Sequence, residues 1–397
     1  MFSTLDLLPP DPILGLSKAF ADDPSPDKID LGVGVFRTVD GATPVMAAVR
    51  QAEAACIEEQ TSKSYVSPEG APGFNDALLK LLLGADHDAV KNKRAVSVQT
   101  PGGCGALRIG GELLKAAGGE TVHMGAPTWP NHTPLLKAAG LATHMAPYYD
   151  YGTSSIDFAA FLSHVETLGA KDILLIHGSC HNPTGADLDK DQIDAVLSAA
   201  EQRGFMVLID IAYHGFANGL DADAYVAREA ARRLPEVMIS YSCSKNFGLY
   251  RERTGALAIV AKNAERAAAT RSHILSLARG AYSMPPAHGG ALVAKVLSTP
   301  DLQNAWRAEL EDMTRTIKTN RSLLSKTAKE HGLGAQLDYI TTQNGMFSLL
   351  PISEKDVQRL IKEKSIYMAA SGRINLCGLN TANIEYFCNA YRSVVGA

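Results

Sequence analysis

The strongest constraint on the fold is an alternation of short apolar runs with amphipathic segments between about residues 95 and 278. Helix-length segments separate most of the runs; in one of them, "KDQIDAVLSAAEQRG", Ile193, Val196 and Leu197 share one face. Alternating strands and helices form a mainly parallel sheet covered by helices, so the pattern predicts an α/β fold. The predicted strands are "AVSVQT", "ETVHMGA", "ATHMAPYY", "DILLIHG", "FMVLIDIA", "EVMISYS" and "TGALAIVA".

One connection in this alternation is too short for a parallel crossover. About ten residues separate "EVMISYSCSK" from "TGALAIVA", whereas a parallel connection needs roughly a dozen or more. The sequence therefore predicts that one strand of the sheet runs antiparallel to its neighbours.

A second unit is predicted beyond the sheet. A long helix should carry an apolar stripe and end at Gly332; the stripe consists of Trp306, Leu310, Met313, Ile317 and Leu324. The segments "MFSLLP", "SEKDVQRLIKEKS" and "GRINLCG" after it predict a smaller α+β unit, which the glycine- and proline-broken start of the chain should join. The predicted divisions are an N-terminal arm at 1–11, a large domain at 44–312, and a small domain formed by 12–43 with 313–397.

Charge and cysteine content exclude several classes of protein. The net charge is only -4 and no basic stripe occurs, so no nucleic-acid partner is expected. The six cysteines include no C-x-x-C pair, so neither a disulfide framework nor a metal site is expected. The first residues lack a secretory signal and no apolar stretch is long enough to span a membrane, so we expect a cytoplasmic protein without a membrane partner.

Lys245 directly follows one of the apolar runs, within "SYSCSKNFGLYRERTG". A lysine at the end of a buried strand must reach water or be used chemically, because an unpaired buried ammonium is costly. Ser242, Ser244 and Arg253 flank it and supply hydroxyls and a guanidinium suited to a phosphate. A lysine able to form a Schiff base beside a phosphate site indicates pyridoxal phosphate.

Asp210 is the candidate partner for the ring of that cofactor. The stretch "FMVLIDIAYHGF" places it near the carboxyl end of a parallel strand, where open α/β sheets bind ligands. A carboxylate facing the pyridine nitrogen keeps it protonated, which the cofactor needs as an electron sink. Tyr213 follows as a candidate hydrogen-bond donor to the ring oxygen. Taken alone, Asp210 also fits a helix or turn cap, and Tyr213 fits ordinary packing.

Two loops complete the candidate site. "SVQTPGGCGALRIGGELL" passes from a strand through glycines into a helix, whose first N–H groups can bind a phosphate. Arg108 stands where a dinucleotide motif has its third glycine, which disfavours a nicotinamide oxidoreductase. "HGSCHNPTG" turns at Asn182 and Pro183 and presents an amide to the cofactor, with a plain turn as the alternative.

Together, "HNPTG", "DIAYHGF", "SCSKNFGLYRERTG" and "GRINLCG", in this order and spacing, resemble the aspartate and aromatic amino-acid aminotransferases. These are class I aminotransferases of the fold-type I pyridoxal-phosphate enzymes. Similar segments, from "DPILGL" near the start to "PPAHGG" at 285–290, cover almost the whole chain. The resemblance implies a seven-stranded, mainly parallel sheet with a smaller α+β domain, pyridoxal 5'-phosphate as cofactor, and a homodimer with shared active sites.

The resemblance also implies individual roles. The candidate catalytic residues are Lys245, Asp210 and Tyr213. Lys245 would hold the cofactor and move the substrate's α-proton. His132 would contact Asp210 on the side away from the cofactor. The implied cofactor contacts are Gly102, Gly103, Cys104, Trp129, Asn182, Asp210, Tyr213, Ser242, Ser244, Lys245 and Arg253, with Tyr65 from the neighbouring subunit. The implied substrate contacts are Gly34, Trp129, Asn182, Arg279 and Arg373. Of these, Arg373 would bind the α-carboxylate, and Arg279 of the neighbouring subunit would bind a second carboxylate. By itself Arg279 also fits a helix C-terminal cation, and Arg373 a surface arginine.

Three positions depart from the strict aspartate enzymes. Gly102 and Cys104 stand where hydroxyl residues usually touch the phosphate, and Met284 replaces the asparagine or serine that commonly precedes "PP". A glycine at the first position is similar to the aromatic or broad-range members. We expect ping-pong transamination of an aspartate-type donor, with aromatic donors open. The default acceptor is 2-oxoglutarate, with oxaloacetate, aromatic keto acids or glyoxylate open. A β-decarboxylase or carbon–sulfur lyase on the same fold, or a non-catalytic ligand sensor, are the alternatives.

Overall fold

The computed structural model describes residues 2–7 and 12–396, with side chains omitted at 12–14. Residues 1, 8–11 and 397, which include much of the predicted N-terminal arm, lie outside this description. The strands in the described part are β1 (Ile29–Asp30), β2 (Ala95–Pro101), β3 (Thr121–Ala126), β4 (Ala142–Pro147), β5 (Tyr149–Asp150), β6 (Ser155–Ile156), β7 (Asp172–His177), β8 (Met206–Ile211), β9 (Val237–Ser242), β10 (Thr254–Val260), β11 (Phe347–Leu349), β12 (Ile366–Tyr367) and β13 (Arg373–Asn375).

Helices make up most of the remaining structure. They are α1 (Pro12–Asp22), α2 (Ala47–Glu59), α3 (Phe74–Leu83), α4 (Asp88–Lys91), α5 (Gly102–Ala116), α6 (His132–Ala138), α7 (Phe158–Val165), α8 (Lys190–Arg203), α9 (Leu220–Asp223), α10 (Tyr225–Arg233), α11 (Ala264–Ala281), α12 (Ala287–Ser298), α13 (Pro300–Glu330), α14 (Gly334–Leu337), α15 (Glu354–Lys364) and α16 (Ile384–Val395). Short 3-10 helices occupy Phe2–Thr4, Asp338–Thr342 and Leu376–Gly378. Within the described ranges, no helix combines the length and apolar character that crossing a bilayer requires.

The chain divides into two compact units. The larger is built from Pro44–Asn182 and Ala186–Arg315. The smaller takes the chain before Pro44, the short segment Pro183–Gly185 and the chain from Thr316 onward. α13 therefore begins in the larger unit and ends in the smaller one.

A seven-stranded sheet forms the centre of the larger unit, in the order β2-β10-β9-β8-β7-β3-β4. The pairs from β9 through β8, β7 and β3 to β4 are parallel, whereas β10 is antiparallel to both β9 and β2. All seven predicted runs are strands of this sheet, and the fold class and the single antiparallel strand are confirmed. The short link from β9 to β10 is the reason for that direction.

Local signals in the sequence explain why the helices begin and end where they do. At the start of α8, the Asp189 side chain accepts a hydrogen bond from Gln192 N at 2.9 Å, and the Gln192 side chain accepts one from Asp189 N at 3.1 Å. This reciprocal pair satisfies two backbone donors that the first turn leaves open. Gly204 ends the helix with a φ of 76°, a left-handed conformation that glycine adopts without strain. Ile193, Val196 and Leu197 are buried as the spacing predicts.

The predicted stripe of α13 is buried along its whole length. The exposed fraction is 9% or less for Trp306, Leu310, Met313, Ile317 and Leu324. The helix ends at Glu330, two residues before Gly332, which has a positive φ of 76°. One helix thus contributes apolar side chains to the cores of both units.

The smaller unit contains two-stranded sheets and its own core. β1 pairs with β12 in parallel, and β11 pairs with β13 antiparallel. The fully buried Leu31, Leu324, Ile366 and Phe387 belong to one apolar cluster, which gathers residues from both ends of the chain. This cluster anchors β13, the strand that carries Arg373.

Candidate active site

A pocket of about 250 Å³ lies where strands β7, β8 and β9 end and α5 begins. This is the edge of an open α/β sheet at which ligands bind. The pocket is lined by Gly103, Cys104, Leu107, Trp129, His177, Asn182, Asp210, Ala212, Tyr213, Ser242, Ser244, Lys245 and Arg253. Ten of these residues were singled out from the sequence, and the structure brings them together around one cavity.

Sequence reasoning missed three lining residues: Leu107, His177 and Ala212. His177 is the last residue of β7, and its register partner on β8 is Asp210, which pairs in turn with Ser240 on β9. These three side chains therefore come from the same level of three parallel strands. The position of His177 at the end of an apolar run is the signal that could have identified it.

Asp210 is buried and held by His132. The Nε2 of His132 donates to Asp210 Oδ2 at 3.1 Å, and Thr128 Oγ1 lies 2.8 Å from the other ring nitrogen of His132. Burial raises the pKa of Asp210, but the hydrogen bond and charge of His132, helped by His177 and Ser240, outweigh it and leave the pKa below its ordinary value. Asp210 is thus a fixed anion, which is what a protonated ring nitrogen requires.

His177 is kept neutral by its surroundings. Burial, followed by the neighbouring charge of His132, lowers the pKa of His177 to about 3, with Asp210 acting in the opposite direction. The rings of His132 and His177 lie 5.3 Å apart. A neutral His177 adds no positive charge of its own beside Asp210.

Lys245 lies in the turn after β9, with its Nζ 4.9 Å from the centre of the Tyr213 ring. The turn is fixed from behind by α13, because Trp306 Nε1 donates to Asn246 O at 2.7 Å. Trp306 also stacks on Phe247, with ring centres 4.5 Å apart and planes 6° from parallel. These contacts hold the backbone on the carboxyl side of Lys245, so its amine is presented from a rigid support.

The start of α5 and the Ser242–Arg253 segment form a cradle of donors. Gly102 has a φ of 67°, and a Cβ there would overlap the Arg253 guanidinium. The missing side chain at Gly102 therefore lets Arg253 approach the helix start. Arg253 Nη1 donates to Ser244 Oγ at 3.4 Å, and Ser242 Oγ donates to Ser244 Oγ at 3.0 Å. Hydroxyls, a guanidinium and helix N-terminal N–H groups make a suitable anion site.

The Asn182 loop is held by a carboxylate. The backbone N–H groups of Cys180 and His181 donate to the two carboxylate oxygens of Asp187, at 2.9 and 2.8 Å. Asn182 itself is buried and lines the pocket. A single side chain thus sets the turn from which the Asn182 amide is presented.

Gly34 and Arg373 are neighbours within the smaller unit. Arg373 Nη2 donates to Gly32 O at 2.8 Å, and its guanidinium carbon lies 4.4 Å from the centre of the Phe347 ring. A Cβ at Gly34 would come within 2.8 Å of that ring, so glycine gives the room that the aromatic side chain needs. Phe347, which sequence reasoning missed, therefore packs against both predicted substrate contacts.

Five predicted residues are not among those that line the pocket: Gly34, Gly102, Arg373, Tyr65 and Arg279. Among the described residues, neither Tyr65 nor Arg279 lines the cavity. Tyr65 is 91% exposed, and Arg279, also exposed near the end of α11, donates to the Ser283 hydroxyl. Both had been predicted to serve a neighbouring subunit.

The residues of the pocket fit pyridoxal phosphate. Lys245 offers an amine, Asp210 a fixed carboxylate, Trp129 and Tyr213 aromatic faces, and the cradle at Gly102 an anion site. All of these groups line or border one cavity of about 250 Å³. This fold and this donor set define a pyridoxal-phosphate enzyme.

Comparison with known proteins identifies the family. The sequence pattern of the family "Aminotransferase class I and II" matches residues 26–390. The aspartate aminotransferase of Haemophilus influenzae is 39% identical over 396 residues, covering 100% of both chains. The chain belongs to the class I and II aminotransferases and is a pyridoxal-phosphate-dependent aminotransferase.

Solved structures agree with this assignment. An aromatic-amino-acid aminotransferase from Burkholderia pseudomallei, covalently bound to pyridoxal phosphate, has a TM-score of 0.97 at 38% identity, with 99% of each chain covered. A psychrophilic aromatic amino acid aminotransferase from Psychrobacter, cocrystallised with aspartic acid, has a TM-score of 0.97 at 36% identity, with 100% of each chain covered. The match to these structures extends over both compact units.

Proposed function

We propose that this aminotransferase moves the amino group of an aspartate-type L-amino acid to a 2-oxo acid, with 2-oxoglutarate as the first candidate acceptor and oxaloacetate or glyoxylate as others. The observation that carries the proposal is that Lys245 and Asp210 line one cavity together with the Ser242, Ser244 and Arg253 cradle. An amine, a fixed carboxylate and an anion site in one pocket fit amino-group transfer better than a binding function alone.

Each residue has a proposed task in the reaction. Bound pyridoxal phosphate supplies the electron sink that stabilises charge developing at the substrate α-carbon. Lys245 would hold the cofactor through its amine and would take the proton from the substrate α-carbon as general base. Asp210 keeps the ring nitrogen protonated, and its own low pKa keeps the carboxylate ionised throughout.

The remaining pocket residues orient the reactants. Asn182 and Tyr213 would donate to the ring oxygen, and Trp129 would offer its aromatic face to the cofactor. Ser242, Ser244, Arg253 and the backbone at Gly102, Gly103 and Cys104 would hold the phosphate. Arg373 binds the substrate α-carboxylate with its two-pronged guanidinium, for which the Phe347 face and Gly32 O fix its orientation.

A homodimer is the proposed active form. Tyr65 and Arg279 would then complete the pocket of the partner subunit, Tyr65 at the phosphate and Arg279 at a second carboxylate. The exposure of both residues in the single chain supports this, since a large aromatic side chain that is 91% exposed fits a surface that a partner covers. We also propose that the protein is located in the cytoplasm.

Relatives support a dicarboxylic donor and leave aromatic donors open. The Haemophilus influenzae relative is named an aspartate aminotransferase, and the Psychrobacter aromatic enzyme was cocrystallised with aspartic acid. Both kinds of substrate fit one site if Arg279 pairs with a side-chain carboxylate and apolar groups accept a ring.

Product analysis tests the reaction type. Purified holoenzyme is given aspartate and 2-oxoglutarate, and the products are quantified by mass spectrometry. Transamination gives equal amounts of oxaloacetate and glutamate. Alanine with carbon dioxide would show a β-decarboxylase, sulfide released from cysteine would show a lyase, and absence of any product with each candidate acceptor would favour a sensor.

The second-carboxylate role of Arg279 predicts a substrate-selective loss. Arg279→Leu should lower kcat/KM for aspartate by at least about 10²-fold, because an unpaired carboxylate in a closed site costs several kcal/mol. For phenylalanine, which has no second carboxylate, kcat/KM should stay within about threefold of wild type. Steady-state kinetics with both donors measures the change in kcat/KM for each.

Arg266→Leu is the matched control, because Arg266 is also exposed and lies on α11. It should leave both donors unchanged. An equal loss for aspartate and phenylalanine in Arg279→Leu would contradict the assignment.

A further inference from the structure

Three histidines form a cluster outside the pocket described above. His123 on β3, His144 on β4 and His164 on α7 each offer a ring nitrogen, and these nitrogens all lie within 4.8 Å of one another. His123 and His144 are register partners on adjacent strands, and His164 belongs to the helix that packs over them. No ligand spacing in the sequence predicts the cluster, because its members are far apart along the chain.

One carboxylate orients the ring of His123. The Nε2 of His123 donates to Asp172 Oδ1 at 3.1 Å, so in the neutral ring its Nδ1 carries the lone pair. That Nδ1 lies 3.0 Å from His164 Nε2. Asp172 is itself fixed, because its other oxygen accepts from Gly169 N at 2.9 Å. A carboxylate behind a ligating histidine is the usual arrangement at protein metal sites.

The geometry suits a small divalent cation. Zinc–nitrogen bonds are about 2.0–2.1 Å, so two ligand nitrogens of a tetrahedral zinc lie about 3.3 Å apart. The 3.0 Å between His123 Nδ1 and His164 Nε2 is close to this value. Rotation of the exposed His144 ring can bring its nitrogen to a similar distance from the other two. The rings of His144 and His164 are already stacked, with centres 5.1 Å apart.

The chemistry of the three side chains also favours a cation. A neutral imidazole is the form that binds a metal, and borderline cations such as zinc prefer imidazole ligands. Exposure of His144 provides a path of entry from solvent.

We propose that His123, His144 and His164 bind one Zn²⁺ per chain, with Asp172 as the positioning residue behind His123 and with solvent in the fourth position. This site is independent of the transamination chemistry. It joins β3, β4 and α7, and β3 leads directly into the segment that carries Trp129 and His132. Zinc therefore should stabilise the larger unit without taking part in amino transfer.

Calorimetric titration of the purified holoenzyme with ZnCl₂ tests the proposal. We expect one strong site per chain in the wild type. His144→Ala and His164→Ala should each weaken it by more than about 100-fold, since even the loss of a residue behind a ligand costs about 10–100-fold. Asp172→Asn should weaken binding by about tenfold on the same grounds.

His273→Ala is the matched control, because His273 is exposed on α11 and lies outside the cluster. The His273→Ala variant should bind zinc as the wild type does. Thermal unfolding of each variant without zinc shows that it is folded, and zinc should raise the midpoint only where the cluster is intact. Absence of a strong site in the wild type, or equal binding in His144→Ala, His164→Ala and wild type, would overturn the proposal.

Discussion

Lys245→Ala should abolish turnover with aspartate, lowering kcat by at least about 10⁴-fold, the upper range for loss of a single general base. The variant loses both the covalent hold on the cofactor and the group that moves the α-proton. The pocket should otherwise persist, because Trp306 donates to the Asn246 carbonyl and stacks on the Phe247 ring. A coupled assay for oxaloacetate measures the effect.

Lys262→Ala serves as control, because Lys262 is exposed and follows β10 outside the pocket. It should retain full activity, and both variants should unfold at the wild-type temperature to within a few degrees. Rapid multiple turnover by Lys245→Ala would contradict the proposed role of the lysine.

Asp210→Asn should lower kcat by about 10³-fold, because breaking a buried ion pair costs about 3–5 kcal/mol and each 1.4 kcal/mol is tenfold. Asparagine retains the shape of the side chain but removes the charge that keeps the ring nitrogen protonated. The hydrogen bond from His132 Nε2 can still be accepted by the amide oxygen, so the effect reports on charge. Single-turnover kinetics with aspartate measure it.

Asp191→Asn, an exposed change on α8, is the control and should leave kcat unchanged. Activity of Asp210→Asn within tenfold of wild type would contradict the assignment of Asp210 to the ring nitrogen.

The large sheet was predictable because its signals are local. Each buried run lies within a few residues, and the length of the link between β9 and β10 sets the direction of β10. The capping pair at Asp189 and Gln192 and the buried stripe of α13 are local patterns of the same kind. Ten of the residues that line the pocket were predicted from such local patterns or from the resemblance of the sequence to a known family.

Contacts between distant segments were not predictable. The pairing of His177 with Asp210 depends on strand register, and the support of Asn246 by Trp306 joins residues 60 positions apart. Phe347 beside Gly34, and the three histidines beside Asp172, are further products of tertiary packing. A sequence pattern places a residue on an element, but it does not say which other element lies opposite.

We expect one pocket lysine, Lys245, and one buried carboxylate, Asp210, to carry out amino transfer from aspartate. The decisive measurement mixes holoenzyme with aspartate alone and follows the visible absorption of the bound cofactor together with the keto acid formed. The visible band should be lost as one oxaloacetate per site appears, and added 2-oxoglutarate should restore the band and yield one glutamate. An unchanged band, or loss of the band without oxaloacetate, would contradict this expectation.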